Sequence, residues 1–173
     1  MDIVSIIEQA QEKKSKVKSK PKKDQPLEEY SGRTPEQLRG MLFTMLKARR
    51  VEVEEKLLLR KGYNRFFIGC GGKELADVCF AENLRADDPW VGYYRNKAFD
   101  LHRGSSLEWK MLEAIGDAKG PNKGQQIPAH PGYPEYSIIP QASPTGGHAL
   151  EAAGIAEAIK HPTPISKQSH KPG

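Results

Sequence analysis

Apolar positions at Leu38, Met41, Leu42, Met45 and Leu46, followed by Arg49, recur at helical spacing and predict a long first helix. Its start has a mechanism. Thr34 can cap, Pro35 presets φ at the first helical position, and Gln37 closes a capping box. The pattern runs to Lys61, where Gly62 can end it with a left-handed cap. A second helix is expected through Leu75, Val78, Cys79 and Leu84, before Asp87-Asp88-Pro89 breaks the chain. Ser105-Ser106-Leu107-Glu108 reads as another capping box. It opens a helix with Leu107, Met111, Leu112 and Ile115 that Gly116 stops. Gly147-His148 opens a last helix rich in Ala149, Ala152, Ala153, Gly154, Ala156 and Ala158; such small side chains admit a close neighbour. Only Phe66–Ile68 and Tyr136–Ile139 offer strand-like runs.

Between the last two helices the pattern fails. Asp117 to Gly146 spans thirty residues, of which four are Gly and six are Pro. Unstructured connections beyond roughly 15 residues are uncommon in compact domains unless they serve a function or are disordered. This one carries Ile127, Tyr133, Tyr136, Ile138 and Ile139, which favour burial, so an ordered loop is expected. It also gathers Gln125, Gln126, His130, Ser143 and Thr145, with His148 close behind. Such a segment wraps a ligand or a partner subunit.

Composition sharpens the domain limits. The chain has 173 residues, 37% apolar and 28% charged, with a net charge of +5. Seven Lys fall between Lys13 and Lys23 with no acid among them. The run reads either as an arm for an acidic surface or as a solvated leader. No aromatic residue interleaves it, so it offers bases no stacking platform, and a nucleic-acid partner is not expected. The segment has no Arg, and Asp2, Glu8 and Glu12 precede or flank it, unlike a mitochondrial transit peptide; Ile3–Ile7 is too short for a secretory signal. No run reaches the roughly 18 apolar residues of a membrane span, so no membrane partner is expected. Residues 1–33 are expected to be a Lys-rich disordered leader, 34–160 the folded part, and 161–173 an unstructured tail. Cys70 and Cys79 form no CxxC pair; free thiols fit a reducing cytoplasm, and Cys70 reads as a packed small side chain.

Three separated segments then acquire a joint meaning. They are Gly72-Lys73-Glu74, Tyr94-Arg95, and the pair Pro121–Gly132 (with Lys123-Gly124-Gln125-Gln126-Ile127-Pro128-Ala129-His130) and Ala142–His148. In this order they resemble the alpha subunit of thiamine-diphosphate-dependent 2-oxo acid dehydrogenases, the branched-chain type most closely. The likeness covers roughly residues 35 to 160 and implies the N-terminal part of that subunit. The implied fold is α/β, the thiamine-diphosphate-binding fold in incomplete form: mostly helices plus a long ordered loop, with most sheet strands missing.

The resemblance also implies roles. Arg95 and Tyr94 would hold the pyrophosphate, since a guanidinium fork matches phosphate oxygens and a phenol adds one bond. Ser143 and Thr145 would face the aminopyrimidine, His130 would stand near the mouth of the site as a catalytic residue, and Phe66 would line the pocket for the 2-oxo acid side chain. The implied reaction is oxidative decarboxylation of a branched-chain 2-oxo acid with acyl transfer to lipoyl. The implied partners are a beta subunit in an α₂β₂ assembly and a lipoyl acyltransferase core. Lys73 departs from the Gln or His usual in relatives. The relatives' Gly-Asp-Gly and later Asn, which hold magnesium, have no counterpart among the 173 residues, so no metal ligand is assigned. Charge-assisted bonds contribute roughly 1.5–3 kcal/mol each, and Tyr94, Arg95 and Ser143 together about 5, against about 8 for micromolar binding. The isolated chain is therefore expected to bind the cofactor weakly or not at all. The alternative expectation is a truncated, non-catalytic remnant that binds at most a beta subunit.

Overall fold

In a computed structural model the chain is described over residues 32–64, 66–140 and 142–161. The Lys-rich segment and nearly all of the C-terminal tail lie outside the described residues. The chain divides into two compact units, Met1–Leu38 and Arg39–Gly173. Within the described part of the first, the expected capping box is formed: the Gln37 amide donates to Thr34 Oγ1 at 3.2 Å and the Thr34 amide to Gln37 Oε1 at 2.8 Å.

Helix α1 runs Pro35–Arg60, and Gly62 follows at φ +76°. Its buried face differs from the expected stripe. Met41 is common to both, but Thr44, Ala48, Val51, Glu52 and Glu55 complete the face, while Leu42, Phe43 and Leu46 are exposed. The helix is turned so that two carboxylates meet partners. Glu52 accepts from the Cys70 amide at 3.1 Å, and Glu55 pairs with Lys97.

Helix α2 (Glu74–Asn83) and helix α3 (Lys97–Arg103) pack on each other. The sequence pattern did not resolve α3 as a helix, because four of its seven residues are charged or His. Helix α4 (Leu107–Ile115) ends at Gly116 in the left-handed conformation, as expected. Its start differs from the capping box: Ser106, not Ser105, is the cap and accepts from the Trp109 amide at 3.0 Å. Ser105 is instead buried, its hydroxyl without a partner. Helix α5 (His148–Lys160) buries none of its residues.

No strand forms among the described residues. Phe66–Ile68 has no ladder, and Tyr136–Ile139 is replaced by a 3-10 turn at Pro134–Tyr136 followed by single bridges from Ile138 to Trp90 and to Tyr133. Pro134 and Pro140 bracket this stretch and supply no N–H, so neither bridge can extend. The described chain is thus mostly helical.

The long loop is part of the core. Tyr133 and Ile138 lie fully inside with Ala81 and Phe99, and Trp90, Trp109 and Tyr136 pack around them. Trp90 stacks on Phe99 at 4.1 Å and Trp109 on Tyr133 at 5.6 Å. Ile127 alone of the expected apolar loop residues stays largely exposed, at 48%. Close approaches hold the loop down. A Cβ on Gly124, at φ +70°, would stand 2.5 Å from the Gly116 carbonyl oxygen, and one on Gly132 would stand 2.4 Å from the Pro140 ring.

Beneath the loop lies a buried set of charges. Lys97 pairs with Glu55; Lys110 pairs with Asp100 at 2.6 Å and lies 3.7 Å from Glu113; the Tyr133 hydroxyl donates to Glu113 at 2.8 Å. Three carboxylates thus face two ammonium groups. Burial pushes the Glu55 and Asp100 carboxyls up, against the pull of Lys97 and Lys110. Burial opposes the Lys110 charge, but Asp100 and Glu113 hold it well above the usual lysine range. Asp77, on α2, accepts from Asn96 at 2.5 Å through one oxygen while the other has no partner. Burial pushes Asp77 up to about 6.

Two stability measurements follow. Removing one member of a buried pair leaves the other charge unpaired, so Lys97→Met should cost about 3–5 kcal/mol in urea unfolding. The double variant Glu55→Leu/Lys97→Met should regain most of that loss, giving a large coupling energy. For Asp77, the folded chain holds its proton to higher pH than the unfolded chain, whose carboxyl titrates near 3.8. The stabilising effect is full below the unfolded value and lost as pH rises through about 6. A displacement of about 2 units corresponds to roughly 3 kcal/mol. Asp77→Asn should remove that component of the pH dependence between the two values, leaving the Glu55 and Asp100 contributions in place.

Candidate functional site

The Tyr-Arg dipeptide is set just ahead of α3 by a small turn. Asn96 Oδ1 accepts from the Tyr93 amide at 2.7 Å, and the Asn96 amide donates back to the Tyr93 carbonyl at 2.8 Å. Asn96 is in turn bonded to Asp77, so the position of Tyr94 and Arg95 is referred to α2. Arg95 Nη1 donates to the Gly69 carbonyl, and its guanidinium lies 5.5 Å from the centre of the Tyr94 ring. The fork keeps further N–H groups for an anion.

His130 is reached from the other side, by the long loop. Ala129 precedes it at φ +68°, a strained conformation for a residue with a Cβ. The loop is braced by Asn122, which donates to the His130 carbonyl at 3.4 Å and accepts from the Gly132 amide at 3.3 Å. His130 Nδ1 lies 3.0 Å from the Pro128 carbonyl, which can only accept, so this nitrogen carries the proton. In the neutral ring Nε2 therefore accepts from the Ser143 hydroxyl, 3.0 Å away. The ring stacks on Tyr94 at 5.2 Å.

Four of the six expected site residues, Tyr94, Arg95, His130 and Ser143, thus form one connected group drawn from two distant segments. Thr145, two residues beyond Ser143, is exposed. His130 is buried, at 4% exposure, rather than open at a mouth, and Ser143 is exposed. Phe66 stands apart from this group. It lines a cleft of about 470 Å³ with Tyr63, Ile115, Ile127 and Pro128, with Gln125 and Gln126 also in its wall. Pro128 connects the two places, since its carbonyl receives the His130 proton donor.

Sequence reasoning missed Tyr93 and Asn122. Tyr93 donates to the Tyr94 hydroxyl at 2.7 Å and, with Tyr94 and Ala129, roofs the buried charges of Glu55, Lys97 and Lys110. A second tyrosine beside the first was the available signal. Asn122 sits ten residues from the amide it holds, and nothing local marks it. The segment Gly72-Lys73-Glu74 is braced from α1: Arg49 pairs with Glu74 at 2.7 Å, and Glu74 accepts from the Gly72 amide at 2.9 Å. Cys70 is buried against Glu52, and burial raises its thiol to about 11, which fits a packed side chain rather than a nucleophile.

Among the described residues no group of three or more His, Cys, Asp or Glu side chains could hold a metal ion, and no helix is long and apolar enough to cross a membrane.

The sequence of the chain also matches a known family. The family described as dehydrogenase E1 component matches residues 43–170. The 2-oxoisovalerate dehydrogenase subunit alpha of Bacillus subtilis (strain 168) is 35% identical over 129 residues, covering 73% of this chain and 39% of the relative. The mitochondrial subunit alpha of Mus musculus is 32% identical over 101 residues, covering 58% of this chain and 23% of the relative. That of Caenorhabditis elegans is 33% identical over the same length. The chain spans less than half the length of these relatives. Because the family match takes in α2 to α5 and both segments that meet at His130, the chain belongs to the dehydrogenase E1 component family.

Proposed function

We propose that this chain forms one wall of a thiamine-diphosphate site in the decarboxylating component of a 2-oxo acid dehydrogenase, with a branched-chain 2-oxo acid such as 2-oxoisovalerate as substrate. The observation that carries the reading is the meeting of Arg95, Tyr94, His130 and Ser143 through Tyr94–His130 stacking and the His130–Ser143 bond. The donor set suits the cofactor: a guanidinium with free N–H groups for a diphosphate, and hydroxyl and imidazole groups for a heteroaromatic ring. The full thiamine-diphosphate-binding α/β fold belongs to the same proposal, as does residues 34–160 forming its N-terminal part.

Thiamine diphosphate, when bound, supplies the nucleophile and the electron sink for loss of carbon dioxide from the 2-oxo acid. The protein side of the chemistry is positioning and charge. Arg95, held by Gly69 and Tyr94, neutralises phosphate oxygens. His130 donates its Nδ1 proton to the Pro128 carbonyl and directs Nε2 at Ser143. A proton moving between these two groups is the transfer this wall can perform. The Phe66, Ile115, Ile127 and Pro128 side chains lining the cleft suit a branched apolar side chain. Among the described residues no group of three or more His, Cys, Asp or Glu side chains could hold magnesium, and no residue is assigned to that ion.

The proposed partners are a beta subunit, in an α₂β₂ assembly, and a lipoyl acyltransferase core; a cytoplasmic location goes with them. A second reading, a non-catalytic chain that binds a beta subunit, draws on α5, which buries nothing within the described chain. Co-expression with a beta subunit decides between them. Decarboxylation of 2-oxoisovalerate by the co-purified pair supports the first reading. Co-purification without decarboxylation supports the second, and failure to co-purify at all would remove both. In an active pair, Arg95→Ala should lower kcat/KM by about 10²-fold, equivalent to roughly 3 kcal/mol for a charged bond to the cofactor.

A further inference from the structure

Helix α1 has two distinct faces. Met41, Thr44, Ala48, Val51, Glu52 and Glu55 are buried against the rest of the chain. On the opposite side Phe43, Leu46, Arg50, Val53, Leu57 and Arg60 follow one another at spacings of three, four, three, four and three residues. All six are exposed, Phe43 at 62% and Leu46 at 59%. This alternation is the seam of a two-stranded coiled coil, in which each such side chain meets a second helix. A helix that serves only its own core carries polar residues on its outer side. Here four of the six outer residues are apolar. Leu42, also exposed, widens the stripe on one flank. On the other flank lies a groove of about 250 Å³, lined by Leu107 and Met111 of α4 with Lys47, Arg50, Val51 and Glu54 of α1. The apolar surface therefore continues past the helix itself.

The charges beside the seam select its occupant. Lys47 and Glu54 stand one heptad apart on the same flank. Arg50 pairs with Glu54 within the chain, and the Lys47 ammonium lies 5.1 Å from the centre of the Phe43 ring. If two α1 helices paired in parallel, each Arg50 would face the other copy's Arg50 in the seam. Antiparallel registers differ from one another by whole heptads. One of them sets Lys47 against the other copy's Glu54, twice, about a two-fold axis. The registers on either side of it set Lys47 against Lys47 or Glu54 against Glu54. The favoured register also sets Leu46 against Leu57, the Arg50 stem against Val53, and the Arg60 cation against the Phe43 ring. A surface that complements itself about a two-fold axis is what an isologous contact requires. Exposed ion pairs of this kind add little affinity, but they fix register and orientation.

We propose that the outer face of α1 docks a second copy of this chain, the two helices antiparallel about a two-fold axis, with Leu46 on the second copy's Leu57 and Lys47 on its Glu54. The apolar stripe supplies the association and the flanking charges choose the register. The inference does not rest on the thiamine-diphosphate reading, and its test needs neither cofactor nor beta subunit.

The full chain is followed by sedimentation velocity across micromolar concentrations, with circular dichroism monitoring the fold. A monomer–dimer equilibrium is expected. A parent chain that stays monomeric throughout overturns the proposal and leaves the face to another partner, such as a beta subunit. Leu46→Glu, at an exposed position, should raise the dimer dissociation constant about 10²-fold with the helical signal unchanged. Lys47→Glu and Glu54→Lys should each raise it about tenfold, since every reversal acts at two symmetric pairs. The double variant Lys47→Glu/Glu54→Lys should return to near the parent value. A dimer indifferent to Leu46→Glu, or a double variant no better than its parents, sinks the seam. Orientation is read by disulfide formation in a Cys79→Ser background. Leu46→Cys and Leu57→Cys chains should cross-link when mixed and not when oxidised alone. Linking within either variant alone, and not in the mixture, overturns the antiparallel register.

Discussion

The constraint on which the described structure depends is the neutralisation of buried charge between α1, α3, α4 and the loop. Glu55, Lys97, Asp100, Lys110 and Glu113 are all but sealed from water, and each is acceptable there only because of the others. This explains why α1 turns a partly polar face inward and leaves Leu42, Phe43 and Leu46 outside. It also explains why α3 is helical without an apolar stripe. Its inward side chains are held by ion pairs as much as by Phe99 and Leu101.

The same charges connect the scaffold to the site. Tyr133 carries its hydroxyl down to Glu113, and three residues earlier the loop carries His130 up to Tyr94. The loop is therefore pinned at one end of this short run by a buried hydrogen bond and at the other by ring stacking. The strained backbone at Ala129 sits between the Pro128 carbonyl and the His130 ring that bonds it. That arrangement settles which imidazole nitrogen faces Ser143 without any help from a carboxylate.

What the sequence disclosed, and what it withheld, divides along physical lines. Helix ends were legible because their chemistry is local: Thr34 and Gln37 cap across three residues, and Gly62 and Gly116 need nothing but their own backbone freedom. The ordered loop was legible because Tyr133 and Ile138 had to go somewhere dry. The site residues Tyr94, Arg95, His130 and Ser143 were legible only as an ordered set resembling a family. Helix α3 was not legible, since its stability comes from Glu55, 42 residues upstream of Lys97. The strand-like runs misled because Phe66 to Ile68 find no ladder and Ile138 makes only isolated bridges. Asn122 was invisible because its value lies in whom it touches, not in what it is.

The span of the Glu55–Lys97 pair has a consequence for how this chain is made. During synthesis α1 leaves the ribosome before α2 to α5, with Glu55 still hydrated and the apolar half of the helix uncovered. The carboxylate cannot be taken inside until Lys97 has been added, nor Lys110 until both Asp100 and Glu113 exist. Closing those contacts over such separations carries an entropic cost that no short-range turn can relieve. A nascent chain paused before residue 97 would therefore display an unfinished helix, a natural target for the chaperones that shield hydrophobic segments until their counter-charges arrive.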